Sequence, residues 1–254
     1  MKKSFLIAII NLIFAFNVNS QVLISLLLGD NLNSDKLEFG LEGGGNLSKI
    51  GGLESNSYLN DWNVGFYFDI VIKENKPWNF YTGVLVKSRL GTGKLTEKDV
   101  NQLIPLDTFL TQGTYKQRIS TFVIPVFIKY KFNKHIYLEA GPQFGLMYKA
   151  WVEYINKEDG EYVLTKKYNK DLFNKIDFGF AAGTGYRFKG RTGWTVGVKY
   201  YYGFVDAIKT IDNSNNQAFF LKLNIPIGRG ETAQLKREKI QAKKQAKKEA
   251  GNKN

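Results

Sequence analysis

The chain has 254 residues, with 36 Lys and Arg against 23 Asp and Glu, a net charge of +13. It has no cysteine and one histidine, which excludes disulfides, thiolate metal sites, a cysteine nucleophile and a His-rich metal centre. A charged fraction of 23% beside 15% aromatics excludes disorder of the chain as a whole.

The first twenty residues read as a secretory signal peptide. Lys2 and Lys3 form a basic start, Phe5 to Phe16 is apolar except for Asn11, and Val18-Asn19-Ser20 sets cleavage after Ser20. This apolar run is too short for a helical span, which needs about 20 residues. Residues 21–35 follow as an N-terminal lead, and 229–254 form a basic tail. Removing Lys2 and Lys3 leaves +11, and the tail, with nine Lys or Arg and three Glu, carries +6. The body between is therefore only +5, so a basic nucleic-acid-binding surface is not expected.

Between 36 and 228, eight segments alternate with the period of two that marks strands. They cover roughly 36–47, 62–73, 77–90, 118–132, 135–151, 174–188, 192–206 and 217–228. One parity is apolar, as in Phe122, Ile124, Val126, Ile128 and Tyr130, or Trp194, Val196, Val198, Tyr200 and Tyr202. The other parity is small, polar or charged. Segments of ten or more residues suit tilted transmembrane strands. Short connections (74–76, 133–134, 189–191) alternate with long ones (48–61, 91–117, 152–173, 207–216). This predicts an all-β fold: an eight-stranded antiparallel up-and-down transmembrane β-barrel in the outer membrane, with both termini periplasmic. A soluble lipocalin-like barrel, with the apolar parity inside around a small hydrophobic ligand, has the same periodicity.

Aromatic residues near strand ends favour the membrane barrel. Trp62, Trp78, Phe132, Tyr148, Trp151, Tyr186, Phe188 and Trp194 are the candidate interfacial girdle. The opposite parity supplies a candidate lumen charge network: Glu38, Glu42, Asp69, Lys87, Arg89, Lys129, Glu139, Asp177, Arg187, Lys199 and Lys222. With Lys73, Lys131 and Lys149 added, nine bases stand against five acids on this parity, so some bases are expected near the rims.

Three stretches carry a family resemblance: 25–48 (SLLLGDNLNSDKLEFGLEGGGNLS), 119–132 (ISTFVIPVFIKYKF) with 136–147 (IYLEAGPQFGLM), and 177–188 (DFGFAAGTGYRF). In these the chain resembles the PorT-like outer-membrane β-barrel family of Gram-negative bacteria. The resemblance implies an eight-stranded barrel and, from its best-known member, an accessory role in type IX protein secretion. It implies no functional residue set, and the basic tail departs from the usual barrel ending.

The remaining motifs read as structure. Gly40, Gly43, Gly44, Gly45, Gly51 and Gly52 lack the Gly-Lys-Ser/Thr ending of a phosphate loop and sit on a strand, so they read as space for lumen side chains. Gly179, Gly183 and Gly185 read the same way. His135 falls at a short turn. In the loop 91–117, Leu103, Ile104, Leu106, Phe109 and Leu110 suit a cap over the barrel mouth or a partner-binding patch. In the tail, Lys236, Arg237, Lys239, Lys243, Lys244, Lys247 and Lys248 are candidate contacts to an anionic surface, on a helical or disordered arm.

No enzyme, cofactor or metal is expected. The expected partners are outer-membrane lipid and a periplasmic or secretion-system protein, in a structural or assembly role. The alternatives are a surface-interaction or adhesin-like barrel and, behind these, the soluble lipocalin-like barrel.

Overall fold

The computed structural model describes residues 36–73, 76–105, 113–158, 161–188 and 193–227. The signal peptide, the lead 21–35, the tail 229–254 and its cations, and Leu106, Phe109 and Leu110 lie outside the described residues.

Nine strands form, in chain order: β1 (Leu37–Ile50), β2 (Ser57–Val71), β3 (Trp78–Gly93), β4 (Thr114–Lys131), β5 (Ile136–Glu158), β6 (Glu161–Tyr168), β7 (Ile176–Arg187), β8 (Thr195–Asp206) and β9 (Asn215–Pro226). Among the described residues one α-helix, α1 (Glu97–Leu103), lies between β3 and β4. The sheet order is β4-β3-β2-β1-β9-β8-β7-β5-β6, and β4 also pairs with β5. That extra pairing closes an eight-membered ring of β1–β5 and β7–β9. Ring closure pairs every stave on both sides and leaves no barrel edge, as a lipid environment requires.

The chain divides into two units, Gly40–Ile225 and a second made of Met1–Phe39 with Pro226–Asn254. The first holds the barrel. In the second, the Ile227 amide donates to the Phe39 carbonyl at 3.0 Å.

The staves fall where the alternation predicts them, but several run further. β2 begins at Ser57, β4 at Thr114, and β5 runs to Glu158. Much of what reads as loop in the sequence is strand extended beyond the apolar band, where polar side chains hide the period but the backbone still pairs. The loop 152–173 is in fact half a hairpin: β6 pairs with the end of β5 from Trp151↔Tyr168 to Glu158↔Glu161.

The apolar parity faces out. Leu138, Leu146, Val198 and Leu221 are about half exposed, at 49%, 50%, 55% and 53%. The opposite parity is buried and polar or aromatic: Tyr67, Asp69, Tyr81, Lys129, Glu139, Lys199 and Lys222 are each 3% exposed or less. A lipocalin-like barrel requires the reverse, so that alternative fails here.

Glycines let the narrow interior hold rings. A Cβ on Gly197 would come within 2.7 Å of the Tyr137 hydroxyl, and one on Gly179 within 2.8 Å of the Tyr201 ring. Gly40 is crowded likewise by the Tyr67 ring, Gly44 meets the Leu221 backbone instead, and Gly43 and Gly45 meet only ordinary contacts. The side-chain space reading therefore holds for Gly40 and not for Gly43, Gly44 or Gly45.

A charge placed mid-wall tests this facing. Val126 lies on the outward parity of β4, opposite Thr82. Val126→Arg is expected to cost about 2–4 kcal/mol in reversible unfolding from vesicles. Unchanged stability would contradict an outward, lipid-facing Val126.

Candidate functional site

Three buried carboxylates and three buried ammonium groups meet inside the ring. Lys129 Nζ lies 3.0 Å from Asp69 and 3.6 Å from Glu139. Lys222 pairs with the other oxygen of Glu139, and Lys199 lies 3.8 Å from Glu42. Asp69 is also bonded by the Asn79 amide and lies 3.5 Å from Lys131, whose side chain is one-third exposed at the short-turn end. These six buried charges balance, which their burial demands, because an unpaired interior charge is far costlier than a paired one.

Aromatic rings separate and orient the charges. Lys129 and Lys222 each sit 4.0 Å from the Tyr81 ring centroid, and Lys129 is 4.5 Å from Tyr137. Lys199 is 4.7 Å from Phe220. Tyr81 stacks between Tyr67 and Phe127, at 5.7 and 6.2 Å. Its hydroxyl donates to Glu42 and accepts from the Asn224 amide at 2.8 Å. Ring faces and a nearby carboxylate both attract an ammonium group, which offsets part of the cost of burying it. The result is a filled interior, consistent with the bore of an eight-stranded ring.

Three other candidates of the network sit elsewhere on the inward parity. Glu38 is buried, at 3%. Asp177 accepts from the Asn216 amide at 3.0 Å rather than from a cation. Arg187 is half-buried, paired with Thr195 across β7 and β8 and bonded to its hydroxyl at 3.2 Å.

Lys87 and Arg89 are not in the lumen. Val64 pairs with Lys87 but Phe66 with Val84, so β3 carries one residue more than β2 between these points. Such a bulge reverses the parity beyond it. Val64 is 37% exposed, and residues directly opposite share a face, so Lys87 points outward. Its Nζ sits 4.5 Å from the Trp62 ring centroid, with the Arg89 guanidinium 5.6 Å from the same ring. Lys149 is moved outward the same way, because Thr121 pairs with Met147 but Ser120 with Lys149.

The girdle residues Trp62, Trp78, Phe132, Tyr186, Phe188 and Trp194 are exposed, and Tyr148 is partly so, its ring 4.8 Å from Phe122. Trp151 departs from this. It is only 5% exposed, because Arg118 of β4 and Tyr168 of β6 flank it in register. His135 stacks on Tyr186 at 5.3 Å and its Nδ1 lies 2.7 Å from the Arg187 carbonyl, as suits a turn residue.

At the long-connection end the ring is roofed. Val100, Leu103 and Ile104 of α1 and its C-cap pack with Tyr115, Met147, Val152, Phe173 and Ile208 in one buried cluster. Leu103 and Ile104 thus lie in a cap. The cap is pinned by polar groups. The buried Asp99 carboxylate accepts from the amides of Glu54 at 2.8 Å, Ser55 at 2.9 Å and Thr96 at 3.1 Å. With Thr96 it completes a capping box. Asn169 donates to the Leu103 carbonyl at 3.2 Å and to Gln117 at 2.8 Å.

The lumen tyrosines were absent from the sequence candidates. The signal was present: Tyr67, Tyr137 and Tyr201 share parity with Asp69, Glu139 and Lys199, two residues away. Among the described residues no group of three or more His, Asp or Glu side chains comes together as a metal site.

The model of the outer membrane protein β-barrel domain matches residues 29–209. No curated protein matches by sequence. Similar solved structures include the attachment invasion locus protein Ail of Yersinia pestis, in complex with the heparin analogue sucrose octasulfate. It is 11% identical over 74% of this chain and 97% of that one, with a TM-score of 0.39. Neisserial surface protein A is 10% identical over 74% and 96%, with a TM-score of 0.37. OprG of Pseudomonas aeruginosa is 10% identical over 75% and 93%, with a TM-score of 0.35.

Two variants test the interior and the roof. Glu139→Gln leaves Lys129 and Lys222 short of a carboxylate and is expected to destabilise by about 3–5 kcal/mol, with Glu139→Gln/Lys222→Met recovering part of it. Equal stability of single variant and parent in urea titration would dissolve the network as a unit. Asp99→Ala removes an N-terminal cap worth about 1 kcal/mol and frees two further amides. The expected outcome is faster protease cleavage within 94–113, with the heat-shifted gel migration of the barrel retained.

Proposed function

The chain belongs to the outer membrane protein β-barrel family, and from that premise we propose that it is a non-enzymatic, non-conducting scaffold acting through its surfaces. The observation that carries this is the filled interior under a folded roof. Glu42, Asp69 and Glu139 are matched to Lys129, Lys199 and Lys222, and the apolar cluster around Leu103 and Phe173 closes one end. A pore would need the opposite of both.

In this reading residues 1–20 are removed on export and 21–35 lead into the barrel at 36–228. The tail 229–254 and both termini lie in the periplasm. The long-connection end then faces out. The tail, with Lys236, Arg237, Lys239, Lys243, Lys244, Lys247 and Lys248, meets an anionic periplasmic surface or protein, at about 1 kcal/mol for each base near an anionic membrane. The finer assignment is an accessory of protein secretion, and the PorT-like stretches at 25–48, 119–132, 136–147 and 177–188 support it.

A second reading, a surface-interaction barrel, is favoured by one feature. The β5–β6 hairpin extends past the ring and exposes Leu164 at 49% and Tyr168 at 62%.

Deletion separates the two. Removing 229–254 is expected to reduce export of secreted cargo while the barrel still assembles. Removing the hairpin tip is expected to leave export intact. If only the hairpin deletion has a phenotype, and that phenotype is lost surface attachment, the second reading replaces the first. Purified protein in a planar bilayer is expected to give no steady channel currents, and stable unitary steps would overturn the non-conducting assignment.

A further inference from the structure

At the long-connection end, the wall changes character between one row of residues and the next. Phe122 and Leu146 are opposite each other on β4 and β5, and both are exposed and apolar. Just beyond the bulge, Arg89 of β3 pairs with Ser120 of β4, and Ser120 pairs with Lys149 of β5. Arg89, Ser120 and Lys149 thus stand side by side on three adjacent strands. Their face is outward, because the residues beside them, Leu90, Ile119 and Ala150, are buried on the other one. Two strand spacings put about 10 Å between the flanking positions, with Ser120 covered between the two long cationic side chains, at 4% exposure.

The surrounding groups hold these cations at the wall. Arg89 lies 5.6 Å from the Trp62 ring centroid, with Lys87 4.5 Å from the same ring. Lys149 lies 5.6 Å from Trp151 and 4.9 Å from Tyr168. Two carboxylates stand nearby. Asp61 and Glu153 both pair with Arg118, and Asp61 is 3.7 Å from Arg89. Lys87, Arg89, Lys116, Arg118 and Lys149 against these two acids leave this sector at +3. The opposite sector is apolar at the same end, with Ile176, Phe180, Tyr202, Phe204 and Phe219 exposed.

The depth is that of a headgroup layer. From Ser120 to Tyr130, which meets the exposed Trp78 at the short-turn end, β4 runs ten residues. That is about 33 Å of strand, which a tilt of about 40° converts to about 25 Å, the height of an outward apolar band. The row therefore stands where hydrocarbon gives way to lipid phosphates.

We propose that Arg89 and Lys149, with Lys87 beside them, form a binding site for the phosphate of an anionic lipid headgroup. Guanidinium and ammonium groups give charge-assisted hydrogen bonds to the phosphate oxygens, and the acyl chains lie along Phe122 and Leu146. The inference rests on the membrane-facing wall and on nothing about the interior, the tail or the compartment each end meets.

Lipid retention tests it. Full-length protein, with its fold verified by heat-shifted gel migration, is placed in nanodiscs of phosphatidylcholine alone, with phosphatidic acid, or with diacylglycerol. Bound lipid is then read by native mass spectrometry. Phosphatidic acid is expected to be retained over both others, and R89Q/K149Q is expected to lose that preference with gel migration unchanged. Equal retention of the three lipids, or an unchanged preference in R89Q/K149Q, overturns the site. Should R89Q/K149Q fail the migration check, the single variants R89Q and K149Q decide: each is expected to weaken retention of phosphatidic acid, and unchanged retention in both overturns the site. Excess inorganic phosphate is expected to leave the lipid bound, and displacement by it would make this a free-anion site and overturn the lipid assignment. A parent chain that enters no nanodisc overturns the membrane wall itself, and the site with it.

Discussion

Closing eight strands into a ring fixes nearly everything else in this molecule. The bore is wide enough for side chains and too narrow for a column of water. Inward residues therefore draw mainly on one another for partners. Lipid outside imposes the converse, since the wall can carry almost nothing that needs a hydrogen bond. The charged groups of the body are thereby forced into two places. They balance inside, as Glu42, Asp69 and Glu139 do against Lys129, Lys199 and Lys222, or they move to the ends of the staves. Lys87, Arg89 and Lys149 take the second course.

The interior shows how the balance is kept without water. Lysine chains reach across the bore and lay their ammonium groups on tyrosine and phenylalanine faces. Glycines opposite supply the room: Gly183 faces Lys199, and Gly197 faces Tyr137. Glycine, tyrosine and lysine on the inward parity are thus one device. A side chain at Gly40, Gly179 or Gly197 would meet the Tyr67, Tyr201 or Tyr137 ring.

Period two made the strands, their order and their facing legible, because a half-lipid, half-protein environment writes itself on alternate residues. Alternation carries no information across a bulge, however. The extra residue near Leu85 on β3 reversed the facing of Lys87 and Arg89, and nothing in the run VLVKSRL marks it. The roof was partly legible. Leu103 and Ile104 stood out as apolar loop residues, but the partners that bury them, Phe173 and Ile208, come from connections far along the chain. Asp99 looked like one more loop carboxylate, and its three backbone partners depend on how the β1–β2 connection folds over it. Trp151 failed as a girdle residue for a similar reason, since β6 lay hidden in a stretch whose polar alternation resembles a loop.

The same bulges that defeat a pure alternation reading give the wall its two chemistries. A stave of unbroken parity would carry Lys87 and Arg89 into the narrow bore, where a buried cation is costly. One inserted residue sends them outward instead, at the height where a cation beside a phosphate is favoured over a cation in hydrocarbon. The irregularity in β3, with its counterpart in β5, is the source of the charged sector outside. The chemically divided rim is therefore a consequence of two register shifts, which keep those cations out of the filled interior.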